Sequence, residues 1–117
     1  MKRGEIWTVS GGSDYAGKPR PAVLIQDDVF DATASISVCP LTSDRTEAPL
    51  FRLEIEPGER NGLKTLSRIM VDKVTTVSKT RLGSRIGRLH DEDIVRLNQA
   101  LVVFLGLAVS PRSRSAA

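Results

Sequence analysis

The stretch YAGKPRPAVLIQDD, residues 15 to 28, places one arginine between two prolines at the start of an apolar run. The run PAVLIQ has no polar residue before Gln26, which is typical of a β-strand that is buried on both faces. Pro19 and Pro21 restrict the backbone, and Pro21 favours an extended conformation at Arg20. The stretch therefore predicts a central strand that begins at a stiffly held cation.

Segments with strand patterns lie on both sides of this run. They are separated by turn signals, of which Pro57-Gly58 and Asn61-Gly62 are the strongest. The segment LSRIMVDKVTTVS predicts one long strand or a strand pair with a kink. The other predicted strands are EIWTVS at 5–10, SISVCPL at 35–41, LFRLEIE at 50–56 and SRIGRL at 84–89.

The pattern changes to a helical period at Asp91. Apolar residues recur at positions 94, 97, 101, 104, 105 and 108, and acidic residues occupy the start, where the helix dipole favours them. Several short strands followed by one helix indicate a small, curled antiparallel sheet with the helix packed on it. We expect one domain over 1–109 and a disordered tail over 110–117.

The composition suits a single domain with an ordinary core. The chain has 117 residues, of which 40% are hydrophobic. Cys39 is the one cysteine, so it cannot form an internal disulfide, and its apolar surroundings indicate a buried thiol. The N-terminal residues lack the apolar segment of a signal peptide, and the longest apolar run, ten residues, is too short to span a bilayer. We expect a cytoplasmic protein that does not contact membranes.

The net charge of +3 is unevenly distributed along the chain. Residues 27–59 carry eight acidic and two basic side chains, whereas residues 60–90 carry eight basic side chains and one acidic. Such a field favours a polyanionic ligand on one side of the molecule. A solvated rim of strands, with Lys and Arg protecting sheet edges, explains the same counts equally well.

The order of several segments along the chain carries a family resemblance. RGEIWTVS is followed by a glycine-rich loop, GKPRPAVLIQ, a strand that ends in PLTS, and NGLKTLSRIMVDKVTTVSKTRL. Across residues 2–108 this order resembles the MazF/PemK family of toxin–antitoxin ribonucleases. The resemblance implies a homodimer of SH3-like β-barrels that cuts single-stranded RNA without metal or other cofactor. It also implies an antitoxin whose acidic disordered segment binds the same groove.

The resemblance assigns catalysis to Arg20 and Thr42. A guanidinium binds phosphate through two parallel hydrogen bonds. Because the flanking prolines restrict the backbone, Arg20 loses less conformational entropy on binding. The Thr42 hydroxyl has the chemistry to donate to a phosphoryl oxygen or to orient the 2′-hydroxyl. The alternatives are a solvated arginine at a protected strand start, and a Thr42–Ser43 pair that caps a turn.

Five further residues are predicted to bind RNA. Tyr15 has a ring that stacks on bases, and Arg68 and Asp72 share one face of a predicted strand. Some family members carry an arginine where Met70 stands here, paired with an aspartate at the position of Asp72. Here either Arg68 supplies that charge or the role is absent. The complete set is Tyr15, Lys18, Ser43, Arg68 and Asp72.

The sequence does not identify the general base, the group that accepts the proton of the RNA 2′-hydroxyl. Some relatives carry a histidine in the first loop, which this chain lacks, and arginine is a poor base at neutral pH. Asp14 and Asp72 are the candidates. His90, the one histidine, precedes the predicted helix and is better explained as a surface residue at the helix start.

Two other functions share this fold class. A CcdB-like gyrase poison binds a protein and cuts nothing, but the helix of that branch ends with a tryptophan that this chain lacks. A non-catalytic SH3-like RNA-binding module binds RNA without cleaving it and tolerates the loss of Thr42.

Overall fold

The computed structural model describes residues 1–11, 18–45 and 51–109. Every predicted strand is present, and the segment 66–78 is the kinked pair, β5 and β6, joined by a 3₁₀ turn at Val71–Lys73. The strands of the described part are β1 Glu5–Val9, β2 Arg20–Leu24, β3 Ser35–Thr42, β4 Arg52–Ile55, β5 Ser67–Met70, β6 Thr75–Ser78 and β7 Leu82–Arg88, and the helix is α1, Asp91–Phe104.

The strands form one antiparallel sheet in the order β4-β5-β3-β2-β1-β7, with β6 paired to β3. The first half of β3 pairs with β6 and its last two residues pair with β5, so the sheet bends along β3. β2 lies between β1 and β3 and buries Ala22, Val23 and Leu24, which confirms the predicted central strand. The sheet curls like a small barrel, without pairing between β4 and β7 in the described residues.

Both faces of the sheet are apolar, because side chains alternate along β2 and β3. The helix covers one face, where Leu97 and Leu101 pack with Val23, Cys39 and Leu41 in the main core. The opposite face holds a second cluster without any residue of α1. Its members are Ala22, Leu24, Ile36, Val38 and Val77, with Trp7, Val9 and Leu82 packed against them.

The helix ends four residues earlier than its apolar period predicts. Gly106 adopts a φ of 74°, the left-handed conformation that glycine adopts without a Cβ clash. The amide of Leu107 donates to the carbonyl of Val102, and that of Gly106 donates to Val103. This glycine cap ends the helix at Phe104 and leaves Leu105 and Leu107 exposed.

The tail expected over 110–117 lies outside the described residues. Among the residues that the structure does describe, no helix is both long enough and apolar enough to cross a membrane.

Candidate active site

A row of polar side chains crosses the sheet on the face opposite the helix. Thr42 on β3 pairs directly with Arg68 on β5, and Arg68 pairs with Glu54 on β4. The β2–β3 register pairs Ala22 with Pro40, and Arg20 and Thr42, each two residues further along its strand, line one cleft together. Directly opposed residues share a face, with Cβ atoms about 5 Å apart. We call these four residues, Arg20, Thr42, Arg68 and Glu54, the polar row.

An open cleft lies at one end of the polar row, where Arg20 and Thr42 line it. Its volume, counted with the open mouth, is about 400 Å³. The structure therefore brings Arg20, Thr42 and Ser43 together at one site. The lining residues are Arg20, Pro21, Leu41, Thr42, Ser43, Thr65 and Ser67.

Arg20 is placed at this cleft by the start of β2. It is the first residue of the strand and is exposed, whereas the strand residues from Ala22 onward are buried. Its backbone is held by the pairing of β2 with Val9 of β1. A fixed backbone with an exposed guanidinium suits the capture of an anion at the cleft.

Thr42 is oriented by the turn that follows β3. Its Oγ1 accepts a hydrogen bond from the backbone amide of Asp44 at 3.1 Å. The hydroxyl therefore does cap a turn, as one alternative interpretation predicted. A hydroxyl has one donor and two acceptor positions, so this contact fixes the oxygen and leaves the O–H to donate elsewhere. Turn capping and ligand binding are compatible at this residue.

The outer half of the polar row is an ion pair. Nη2 of Arg68 lies 3.5 Å from Oε2 of Glu54, and the two side chains are 21% and 50% exposed. Arg68 was predicted from the sequence, but Glu54 was not. Apolar and polar residues alternate in LFRLEIE, which places Glu54 opposite the apolar residues, but its pairing with Arg68 depends on strand register, which the sequence does not reveal.

A second ion pair lies beside Met70, at whose position some family members carry an arginine. Nε of Arg52 lies 3.1 Å from Oδ1 of Asp72, and Arg52 is the direct cross-strand partner of Met70. The arginine that forms an ion pair with Asp72 therefore comes from β4, and Arg68 forms its ion pair with Glu54. Asp72 also lies in a 3₁₀ turn beyond β5 and does not line the cleft.

An apolar groove continues from the cleft along the same face. It is lined by Val9, Pro21, Ala22, Val38, Pro40, Thr75 and Val77, with Arg20 and Arg81 at its edges. Nε of Arg81 donates to the carbonyl of Ser10 at 2.6 Å, and so fixes the point where the β1–β2 loop begins. The cleft and the groove share Arg20 and Pro21, so one extended ligand has room to occupy both.

The remaining predicted residues are dispersed. Lys18 is exposed just before β2, and His90 is exposed at the N-terminal cap of α1, as expected of a surface residue. Tyr15 and Asp14 lie outside the described residues. In the described part of the chain, no three His, Cys, Asp or Glu side chains are grouped closely enough to hold a metal ion.

Comparisons with known proteins agree with this fold. The family model of the PemK-like, MazF-like toxins of type II toxin–antitoxin systems matches residues 2–105. The chain is 54% identical over 108 residues to a probable endoribonuclease MazF of Mycolicibacterium smegmatis, covering 92% of this chain and 99% of that one. It is 29% identical to endoribonuclease EndoA of Bacillus subtilis, covering 92% and 96%.

Solved structures show the same architecture at lower identity. A mycobacterial endoribonuclease in complex with its cognate antitoxin superposes with a TM-score of 0.77 at 22% identity, covering 92% of this chain and 96% of that one. A MazE–MazF complex from Deinococcus radiodurans gives a TM-score of 0.73 at 16% identity, covering 91% and 95%. The family match confirms the resemblance found in the sequence: this chain belongs to the PemK-like, MazF-like toxins of type II toxin–antitoxin systems.

Proposed function

We propose that the cleft over the polar row is the active site at which this toxin cuts single-stranded RNA, with Arg20 and Thr42 as the catalytic residues. The chain is an endoribonuclease toxin of the MazF type, as its family and its 54% identical relative indicate. The observation that supports the site is the cleft that Arg20, Thr42 and Ser43 line together, beside the cross-strand pair of Thr42 and Arg68.

The proposed reaction uses the 2′-hydroxyl of the substrate as nucleophile. Its oxygen attacks the adjacent phosphorus while the bond from phosphorus to the 5′-oxygen breaks. The 2′-hydroxyl gives up its proton and the departing 5′-oxygen takes one up, which leaves a 2′,3′-cyclic phosphate and a 5′-hydroxyl. The protein has to align the attack and stabilise the charge that develops on the phosphoryl oxygens.

Arg20 and Thr42 suit these tasks. Arg20 keeps its charge at all physiological pH values and binds two phosphoryl oxygens in parallel. The Thr42 hydroxyl, fixed by the amide of Asp44, donates to the same phosphate or to the attacking oxygen. Lys18, Ser43, Arg68, Asp72 and Tyr15 remain predicted RNA contacts, of which Ser43 lines the cleft and Arg68 lies beside Thr42.

The same face is the proposed site of regulation. One mycobacterial relative was solved in complex with its cognate antitoxin. We propose that this toxin acts in the cytoplasm as a homodimer and is inhibited by an antitoxin whose acidic disordered segment occupies the cleft and groove. The groove offers an apolar floor, with Arg20 and Arg81 at its edges to pair with carboxylates.

Cleavage of a mixed-sequence single-stranded RNA in EDTA tests the proposed site. We expect fragments with 5′-hydroxyl ends from the wild-type protein. Because each variant loses one donor to the developing charge, Arg20→Gln and Thr42→Val should each lower kcat by about 10²–10³-fold. Thr42→Ser is the matched control, since it retains the hydroxyl and should keep most of the activity.

Other outcomes would contradict the proposal in distinct ways. Full activity in Arg20→Gln or Thr42→Val would remove that residue from the catalytic set. RNA binding without fragments from the wild-type protein would indicate a non-catalytic module. Stalled gyrase–DNA complexes, with intact RNA, would indicate a gyrase poison.

A further inference from the structure

Two ion pairs lie side by side on β4 and β5, and their surroundings differ. Arg52 and Asp72 approach to 3.1 Å, and their side chains are 13% and 28% exposed. Arg68 and Glu54 are 3.5 Å apart, and the Glu54 side chain is half exposed. The first pair is short and sheltered, which suits a structural brace. The second pair is longer, its Glu54 side chain is half exposed and its Arg68 side chain is 21% exposed, and it lies on the row that carries Thr42.

Stability does not explain the second pair. A long ion pair with one partner half exposed contributes little to folding. One good bidentate contact with a nucleobase, by contrast, discriminates against the wrong base by about tenfold or more. The Arg68–Glu54 pair, beside the proposed phosphate site, therefore contributes more to recognition than to stability.

The pair is close enough to the cleft to meet a base next to the cut. Arg68 is the direct cross-strand neighbour of Thr42, one strand spacing of about 4.8 Å away. Glu54 lies one further strand out, across from Arg68. When a phosphate is held between Arg20 and Thr42, an adjacent base that is turned along the row reaches the Arg68–Glu54 pair.

The chemistry of the pair selects among the four bases. Single-stranded RNA exposes the Watson–Crick edges of its bases for hydrogen bonding. Guanine alone presents one acceptor, O6, followed by two neighbouring donors, N1–H and N2–H. A guanidinium donates to the first, and the two oxygens of one carboxylate accept from the other two. Adenine, cytosine and uracil lack two adjacent donor groups for the carboxylate.

We infer that Arg68 and Glu54 are specificity residues that make this protein prefer RNA with a guanine next to the cleaved bond. The inference rests on the proposed function, because it assumes that RNA is cut at the Arg20–Thr42 cleft. Arg68 is the donor to O6, and Glu54 is the acceptor for the N1–H and N2–H groups. Each residue also holds the other in place through their ion pair.

A random-sequence RNA pool tests this preference. The wild-type protein, Arg68→Gln and Glu54→Gln each cut the pool in EDTA, and the fragments with 5′-hydroxyl ends are sequenced. We expect about tenfold or greater guanine enrichment at one position flanking the wild-type cut, in the range that one bidentate contact supplies. Either substitution should reduce this enrichment severalfold.

Lys79→Gln is the matched control. Lys79 also forms a surface ion pair, with Asp31 at 3.8 Å, but it follows Ser78, which pairs with Ser35 at the far end of β3. That end lies about 23 Å along the strand from Thr42. The Lys79→Gln variant should keep the wild-type sequence preference.

A single-group change in the RNA tests the inference with the wild-type protein. Inosine lacks the N2 amino group of guanine but keeps O6 and N1–H. Placed at the preferred position of a defined RNA, it should slow cleavage by about tenfold, because one oxygen of Glu54 loses its donor.

The failures of the two proposals are distinguishable. If the wild-type protein leaves RNA intact, the proposed function fails, and this inference fails with it. If it cuts but shows no flanking guanine preference, or if both variants retain that preference, only the inference is wrong. A purely structural role for the pair would slow cleavage equally at all sequences and would leave the motif unchanged.

Discussion

Cys39 shows how burial determines the chemistry of a single residue. Its side chain on β3 has no exposed surface, and desolvation raises the pKa of the thiol to about 12. Arg3 opposes this shift and Asp72 adds to it. Because the thiolate is the reactive form, we expect iodoacetamide to leave the native protein unlabelled at pH 8 and to label it fully in concentrated guanidinium chloride. Fast labelling of the native protein, detected by mass spectrometry, would contradict this.

The residues of the cleft were predictable to different degrees. Arg20 and Thr42 were predicted from the family resemblance, since their local signals, a pair of prolines and a strand end, are equally compatible with a solvated arginine and a turn cap. Asn61 was recognised only as a turn residue, although it is 1% exposed. Its Oδ1 accepts from the amides of Gly58 and Leu63, and its Nδ2 donates to the carbonyl of Glu56. A local turn signal does not reveal that the turn is buried.

At the scale of the elements, Glu5 joins the N-terminus, β1 and β7. It accepts hydrogen bonds from the Lys2 amide at 2.8 Å and from the Trp7 indole at 3.0 Å, and Arg85 on β7 lies 2.9 Å away. Burial alone would raise the pKa of Glu5, but these contacts and the N-terminal charge outweigh it and lower the pKa. The ionised form is therefore favoured in the folded protein.

The pH dependence of stability follows from this lowered pKa. A carboxyl with a depressed folded-state pKa stabilises the protein above its unfolded pKa, here close to 4.5, and the stabilisation is lost as the pH falls through the folded value. We expect Glu5→Gln to lower the free energy of unfolding by about 1–3 kcal/mol at pH 7. The difference should shrink below the unfolded pKa. Urea titrations of both proteins between neutral and acidic pH measure it, and a constant difference would be inconsistent with this account.

Element boundaries were harder to predict than the elements themselves. The apolar period continues to position 108, but the cap at Gly106 ends α1 at Phe104. The face shared by Arg68, Met70 and Asp72 is broken because the chain turns at Val71–Lys73. In both places the backbone turns and ends the helix or strand, although the side-chain pattern continues. The side-chain pattern alone does not show where such a turn will end the element.

At the scale of the whole molecule, strand order assembles the candidate site. Arg20, Thr42, Arg68 and Glu54 are widely separated in sequence, and they form a row only because β2, β3, β5 and β4 are consecutive in the sheet. The strands and the helix could be predicted from their periodicity. The register could not, since it depends on packing between distant segments, and for this reason the base-reading role inferred for Glu54 had no signal in the sequence.

The charge distribution of the molecule predicts salt-sensitive RNA binding. A net charge of +3 is small, so a general attraction to RNA is weak, and the proposed site implies that binding depends on the few cations at the cleft. Each neutralised phosphate of a single strand adds about −0.7 to the slope of log affinity against log salt. We expect Arg20→Gln and Lys18→Gln each to flatten the slope by about that amount, whereas Lys79→Gln leaves it unchanged.

Fluorescence anisotropy with a 2′-deoxy RNA, which this mechanism cannot cut, separates binding from cleavage. If the slope were equal in all four proteins, RNA would bind to a different face. A phosphate bound at the cleft of the Arg20→Gln protein would face one cation fewer, so RNA binding would release fewer counterions and the slope would have to change.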